Sequence, residues 1–133
     1  IEIDLVARRF IYAAVNDSSQ WVRAVALSRL IDSENGAIRS DALKGVRDDA
    51  IGVRLFLLDV MRQRAKETYR PALRIAVTDI SAEVREAALK AFATQPGPVD
   101  PNEVKNVWAD QDAGVKSALQ ALAQAKGFKV PGP

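Results

Sequence analysis

Residues 79–92, DISAEVREAALKAF, decide the reading of the whole chain. An aspartate is followed five residues later by a valine and six later by an arginine. A run rich in alanine and leucine comes next. The same frame returns as DSSQWVRAVALSRL at 17–30, DDAIGVRLFLLDVM at 48–61 and DQDAGVKSALQALA at 110–123. The copies lie 31 residues apart with no insertion between them, so Asp17, Asp48, Asp79 and Asp110 form one column. Val22, Val53, Val84 and Val115 form a second, and Arg23, Arg54, Arg85 and Lys116 a third. A period of this length marks a repeated supersecondary unit that cannot bury its apolar face alone.

Further apolar columns share the period. They are Ile11, Ala42, Leu73, Val104; Val15, Val46, Val77, Trp108; Ala26, Leu57, Ala88, Leu119; and Leu30, Met61, Phe92, Ala123. Within each unit they recur at helical spacing, as in Ala7, Ile11, Ala14 and Val15, with one helix before the aspartate and a second after it. The pattern predicts helices near 3–16, 19–31, 36–47, 50–65, 68–78, 81–94, 101–109 and 112–126. Ser19, Ser81 and Asp112 stand where an N-cap is wanted, and Ala50 breaks that rule. Asn35-Gly36 and the segment 95–101 punctuate the units, with Asp100 as a cap and Pro101 at the first helical position. Pro71 falls near the start of a helix, and Gly127 ends the last one. The fold class expected is all-α: one repeat domain over 1–126, with units near 3–31, 36–65, 68–94 and 101–126, and a tail at 127–133.

Asp-x4-Val-Arg before an Ala/Leu-rich helix resembles the HEAT repeat, and most of all the short PBS-lyase-type variety. The resemblance covers nearly the whole chain before the tail. It implies an α-solenoid of four 31-residue helical hairpins wound as a right-handed superhelix, whose second helices line a concave surface. It implies no particular function, because such repeats serve many unrelated proteins.

Composition narrows the chemistry. The chain of 133 residues holds no cysteine and no histidine, which excludes thiolate nucleophiles, disulfides, zinc-finger ligation and imidazole catalysis. No metal site and no cofactor is expected. Hydrophobic residues make up 48% and aromatics only 6%, a mix suited to close helix packing. The net charge of +2 demands no polyanionic partner. No apolar run approaches the roughly 20 residues that span a bilayer, and no signal peptide is visible. The expectation is a soluble chain without membrane insertion, with the cytoplasm the favoured compartment. It opens at Ile1 without a methionine, as a processed form or a piece of a longer protein would.

The Asp and Arg/Lys columns read as a structural ladder that caps helices or pairs neighbouring units, since a feature repeated four times serves stacking and an active site appears once. The pairs Asp48/Asp49, Asp110/Asp112 and Glu83/Glu86 sit at helix N-termini, where negative charge is favoured anyway. No catalytic residue is assigned, and the chain is read as no enzyme. Asn16-Asp17-Ser18 matches a glycosylation sequon but falls on the repeat's own turn. Trp108 shares a core column. Trp21 does not: its counterparts are Gly52, Glu83 and Gly114. With Val25, Leu55 and Phe56 it makes an apolar patch confined to the first two units, and Ser28 and Asp59 would supply a polar rim.

The function expected is therefore a protein-interaction module or scaffold that binds a protein or peptide segment on the concave face of the first two units. A nucleic-acid-binding solenoid is the second reading. Arg8, Arg39 and Arg70 share the 31-residue register, with Arg9, Arg62, Arg64, Lys66 and Arg74 nearby, although acidic residues interleave and Pro101 takes the fourth place. A chromophore-lyase accessory is a distant third, on the resemblance alone. Ile1, Ile3, Leu5, Val6, Phe10 and Ile11 give the first helix more apolar surface than one neighbour covers. That edge is expected to meet a missing segment, a second copy or a partner.

Overall fold

The four turns carrying the aspartate column are built alike. In each, the aspartate Oδ1 accepts the backbone N–H two residues on: Ser19 at 2.8 Å from Asp17, Ala50 at 2.9 Å from Asp48, Ser81 at 2.8 Å from Asp79 and Asp112 at 3.0 Å from Asp110. Such a side-chain bond competes with helix and folds the chain into a turn. Six residues after each of the first three aspartates, an arginine reaches back. Arg23 donates to the carbonyls of Asp17 and Ser18, Arg54 to those of Asp48 and Asp49, and Arg85 to those of Asp79 and Ile80. Lys116, fourth in the column, has no planar fork to repeat this, and its side chain is exposed.

The structure is a computed structural model that describes residues 2–131, without the side chains of residues 2–4, 6–8 and 10. Every regular element among the described residues is helical. The α-helices are α1 (Glu2–Val15), α2 (Gln20–Leu30), α3 (Gly36–Leu43), α4 (Ile51–Arg64), α5 (Arg70–Ala76), α6 (Ala82–Thr94) and α7 (Ala113–Lys126). Short 3-10 helices cover Lys44–Arg47, Glu67–Tyr69 and Pro101–Val107. The chain divides into two units, residues 1–57 and 58–133.

In the first unit α1 packs on α2 and α2 on α3. Ser19 caps α2 by accepting from the Val22 amide, and Asn35 caps α3 by accepting from the amides of Ala37 and Ile38. Ala24, Leu27, Ile31, Val46, Val53 and Leu57 are buried there. Gly45 is required by close approach: a Cβ placed on it would lie 2.8 Å from Leu57 Cδ1 and 2.9 Å from Leu27 Cδ1.

In the second unit α5 packs on α6 and α6 on α7. Tyr69, Leu73, Leu89, Phe92, Val104 and Leu122 are fully buried. Gln95 is also buried and donates to the Lys66 carbonyl. Gly127 ends α7 in the left-handed region at φ 72°, where a side chain would be strained.

Three local expectations need correction. Ser81 sits at the N-cap of α6 but makes no side-chain cap bond. The turn is held instead by the Asp79 carboxylate and the Arg85 guanidinium. The segment 101–109, read as an ordinary helix, is a 3-10 helix kinked at Val104 (φ −118°, ψ 23°). Its start does carry Asp100 and Pro101 as expected, within a capping box completed by Glu103. Trp108 is half-buried rather than core, and its indole N–H donates to the Pro101 carbonyl at 3.1 Å.

Candidate functional site

The first unit opens an apolar groove of about 550 Å³ between α1 and α2. Ile11 and Ala14 line it from α1; Trp21, Val22, Val25, Ala26 and Arg29 line it from α2. Helical spacing aligns them, because 21, 22, 25, 26 and 29 share one face of α2. Trp21 is 63% exposed, Val25 50% and Val22 40%, an unusual concentration of large apolar surface on one helix of a small protein. The aromatic ring offers a broad rigid contact, and Arg29 adds a cation to the lining.

The residues expected at a binding patch are not all brought together. Trp21 and Val25 line the groove. Phe56, 37% exposed, and the half-buried Leu55 lie on α4 and are not among its walls. Ser28 does not belong to a rim: it is buried, and its hydroxyl donates to the Val25 carbonyl at 2.7 Å. It falls on the side of α2 that carries Ala24 and Leu27. Asp59 is exposed but accepts from Arg62 at 2.8 Å and Gln63 at 2.8 Å along its own helix. Val22, placed in the core column, is a groove wall instead, and Ile11, Ala14, Ala26 and Arg29 were not singled out as site residues. Ile1 lies outside the described residues, and so do the side chains of Ile3, Val6 and Phe10 at the N-terminal edge. Leu5, at 49% exposure, and Tyr12, at 40%, leave α1 with further apolar surface.

Two pairs of ladder residues are joined to one another. Arg23 places Nε and Nη2 on the two carboxylate oxygens of Asp48, at 3.1 Å each. Arg85 does the same to Asp110, at 2.7 and 3.3 Å. Such bidentate pairs are among the stronger charge-assisted contacts. Burial by itself pushes the Asp48 carboxyl up; the hydrogen bonds from Arg23 and the Ala50 amide outweigh it and hold the group below its ordinary value. Asp110 is likewise pushed up by burial and held down by Arg85, the Asp112 amide and the charge of Lys116.

A second, polar depression of about 640 Å³ in the other unit is lined by Arg74, Thr78, Asn102, Glu103, Lys105 and Asn106. Two of its three charged side chains, Arg74 and Glu103, are engaged. Glu103 accepts from Arg70 at 3.0 Å, Arg74 at 2.9 Å and the Asp100 amide at 3.0 Å, and Asn106 donates to the Val77 carbonyl. Arg70 also lies over the Phe92 ring, 5.7 Å from its centre. Arg39, another member of the basic register, donates to the Ser33 carbonyl at 2.9 Å. The side chain of Arg8, the remaining member, is outside the described set. Among the described residues no three potential ligands cluster around a metal position, and no helix is long and apolar enough to cross a membrane. No protein family, curated protein or solved structure matches the chain.

Proposed function

We propose that this chain is a protein-interaction module, built as a HEAT-like solenoid of four short helical hairpins, which takes a partner segment in the apolar groove between α1 and α2. The observation that carries the reading is the groove itself: Trp21, Val22 and Val25 expose large apolar area side by side on α2. Isolated exposed apolar residues are ordinary, but a contiguous patch around an aromatic anchor is where binding energy concentrates. The 31-residue register of turns and arginines supports the repeat reading, since one device serves every unit. A phosphate-binding reading has less support, because Arg39 and Arg70 of the basic register spend their donors on carbonyls and on Glu103.

The test is retention of a partner from lysate of the source cells by wild type and by Trp21→Ala, each at low and high salt. A hot-spot tryptophan is worth about 2 kcal/mol or more, so the variant should retain roughly thirtyfold less. Retention by wild type should hardly respond to salt. A partner lost steeply with salt and indifferent to Trp21 would point to phosphate contacts and defeat the proposal.

A further inference from the structure

The groove has a filled counterpart within the same unit. Its walls Ala14 and Ala26 stand 31 residues before Gly45 and Leu57. Those two are covered by Leu27 of α2, whose side chain lies against Gly45 and is only 4% exposed. One helical turn before Leu27, Arg23 forks onto Asp48. Helix α2 thus delivers a leucine to the socket at Gly45 and an arginine to Asp48, three residues further on. The pair recurs on α6 as Arg85, forked on Asp110, and the fully buried Leu89.

Asp17, in the turn that joins the two groove helices α1 and α2, is the register counterpart of Asp48 in the turn after Gly45. Its Oδ1 takes the Ser19 amide as Asp48 takes the Ala50 amide. Among the described residues, however, no arginine bonds the Asp17 carboxylate, and Asp17 is exposed. One further difference constrains the occupant. At the filled socket Gly52 lets Gln20 approach, its Oε1 only 3.0 Å from where a Cβ would be. The groove has Trp21 in that register position, so a helix seated there needs a small residue three places before its arginine.

Resting on the reading above, we infer that the groove takes an amphipathic helix carrying small-x-x-Arg-x-x-x-Leu, the arginine forked on Asp17 and the leucine seated toward Ala26. Ala14 carries the Cβ that Gly45 lacks, and Ala26 leaves the room that Leu57 fills. The apolar groove and the open carboxylate in the turn between its helices are complementary to that pattern and to no purely acidic or purely apolar helix. A second copy presenting its last helix does not supply it. On α7 the matching positions are Lys116 and Gln120, both exposed. A lysine cannot fork, and a glutamine cannot fill an apolar socket without leaving its amide unpaired.

The α6 sequence carries the pattern as Ala82, Arg85 and Leu89. The probe is therefore a blocked peptide of residues 79–94, locked as a helix by a lactam between its Glu86 and Lys90 side chains and checked by circular dichroism. It is titrated into the full chain bearing Trp108→Phe, with Trp21 emission as the readout. Saturable binding is expected. Arg85→Gln in the peptide and Asp17→Asn in the protein should each weaken it about fivefold, and the two together no further, since both remove one contact. If the Arg85→Gln peptide binds as tightly as its parent, the arginine–Asp17 pairing is wrong while the groove reading stands. If neither helical peptide moves Trp21 emission up to millimolar concentration, both fall. Light scattering that shows self-association abolished by Trp21→Ala would make a second copy the occupant and overturn the inference.

Discussion

Val22 and Val53 hold the same place in the 31-residue register, at the starts of α2 and α4, yet Val22 is 40% exposed and Val53 only 1%. Their own helices do not account for this. Gln20 of α2 lies against Gly52, the chain neighbour of Val53, and Leu27 against Gly45. Nothing among the described residues covers Val22 in the same way. Ile11 and Ala42 repeat the contrast, half-buried against 3% exposed. The burial of a position thus depends on whether a leucine-and-arginine face is laid against it. Helix α7 shows how such a face is finished: its Lys116, Ser117, Gln120 and Gln124 are all exposed and polar. That face of α7 is dressed for water, and the wall of α2 that carries Trp21, Val22 and Val25 is not.

Exchanging the knob and leaving the groove untouched breaks the comparison most severely. Leu27→Ala empties the socket between Gly45 and Leu57, and loss of a buried leucine costs about 2–5 kcal/mol through lost transfer energy and the cavity left behind. Val22→Ala removes apolar surface already facing water and should cost about 0.5 kcal/mol or less. Urea unfolding followed by circular dichroism measures both. Equal losses would mean that Val22 is as enclosed as Val53 in solution.

The ladder gives the next largest effect. Arg85 serves two carbonyls and both oxygens of Asp110, with side chains only 20% and 8% exposed. Arg85→Ala strands a shielded carboxylate and two turn carbonyls, and should cost about 1.5–3 kcal/mol. Lys116→Ala, at the same register position on an exposed face, should fall within about 0.5 kcal/mol of wild type. The outcome against this account is a Lys116 loss as large as that of Arg85, since a lysine there would then hold its turn without a fork.

Helix positions and turns were legible because the period repeats each local signal: the aspartate and the valine four times, the capping residue and the arginine three times. Asp100-Pro101 and Gly127 act through backbone geometry, which is local, and they stand where the sequence puts them. The 3-10 form of Pro101–Val107 was not legible, because its kink at Val104 sits inside an apolar column that keeps its register. The groove was half legible. Trp21 stood out by having no apolar column, but Val22 had one, and a column says which face is apolar without saying what lies on it. Ser28 shares a register with Asp59 and so looked like a rim. A hydroxyl can bond its own helix carbonyl, as Ser28 does to Val25, and turn inward. The column Leu27, Leu58, Leu89, Gln120 did carry a signal for the polar face of α7, since its last member is polar.

The smallest of these effects is the dependence on pH. Asp48 is held below its ordinary 3.8 because its bonds to Arg23 and the Ala50 amide outweigh the cost of burial. A carboxyl whose folded value is depressed adds stability that is fully present above its unfolded value and is lost as pH falls through the folded one. Protonation then removes an acceptor charge that the folded state uses and the unfolded state does not. The pair is well shielded, with 19% exposure for Arg23 and 12% for Asp48, so added salt should screen it weakly. Asp48→Asn keeps an oxygen for the Ala50 amide and loses only the charge, and should cost about 1 kcal/mol at neutral pH. That deficit should shrink as pH drops below 3.8, because wild type then loses the charge too. Parallel stability curves for wild type and variant across that range would show that the Arg23–Asp48 contact contributes no charge-dependent stability.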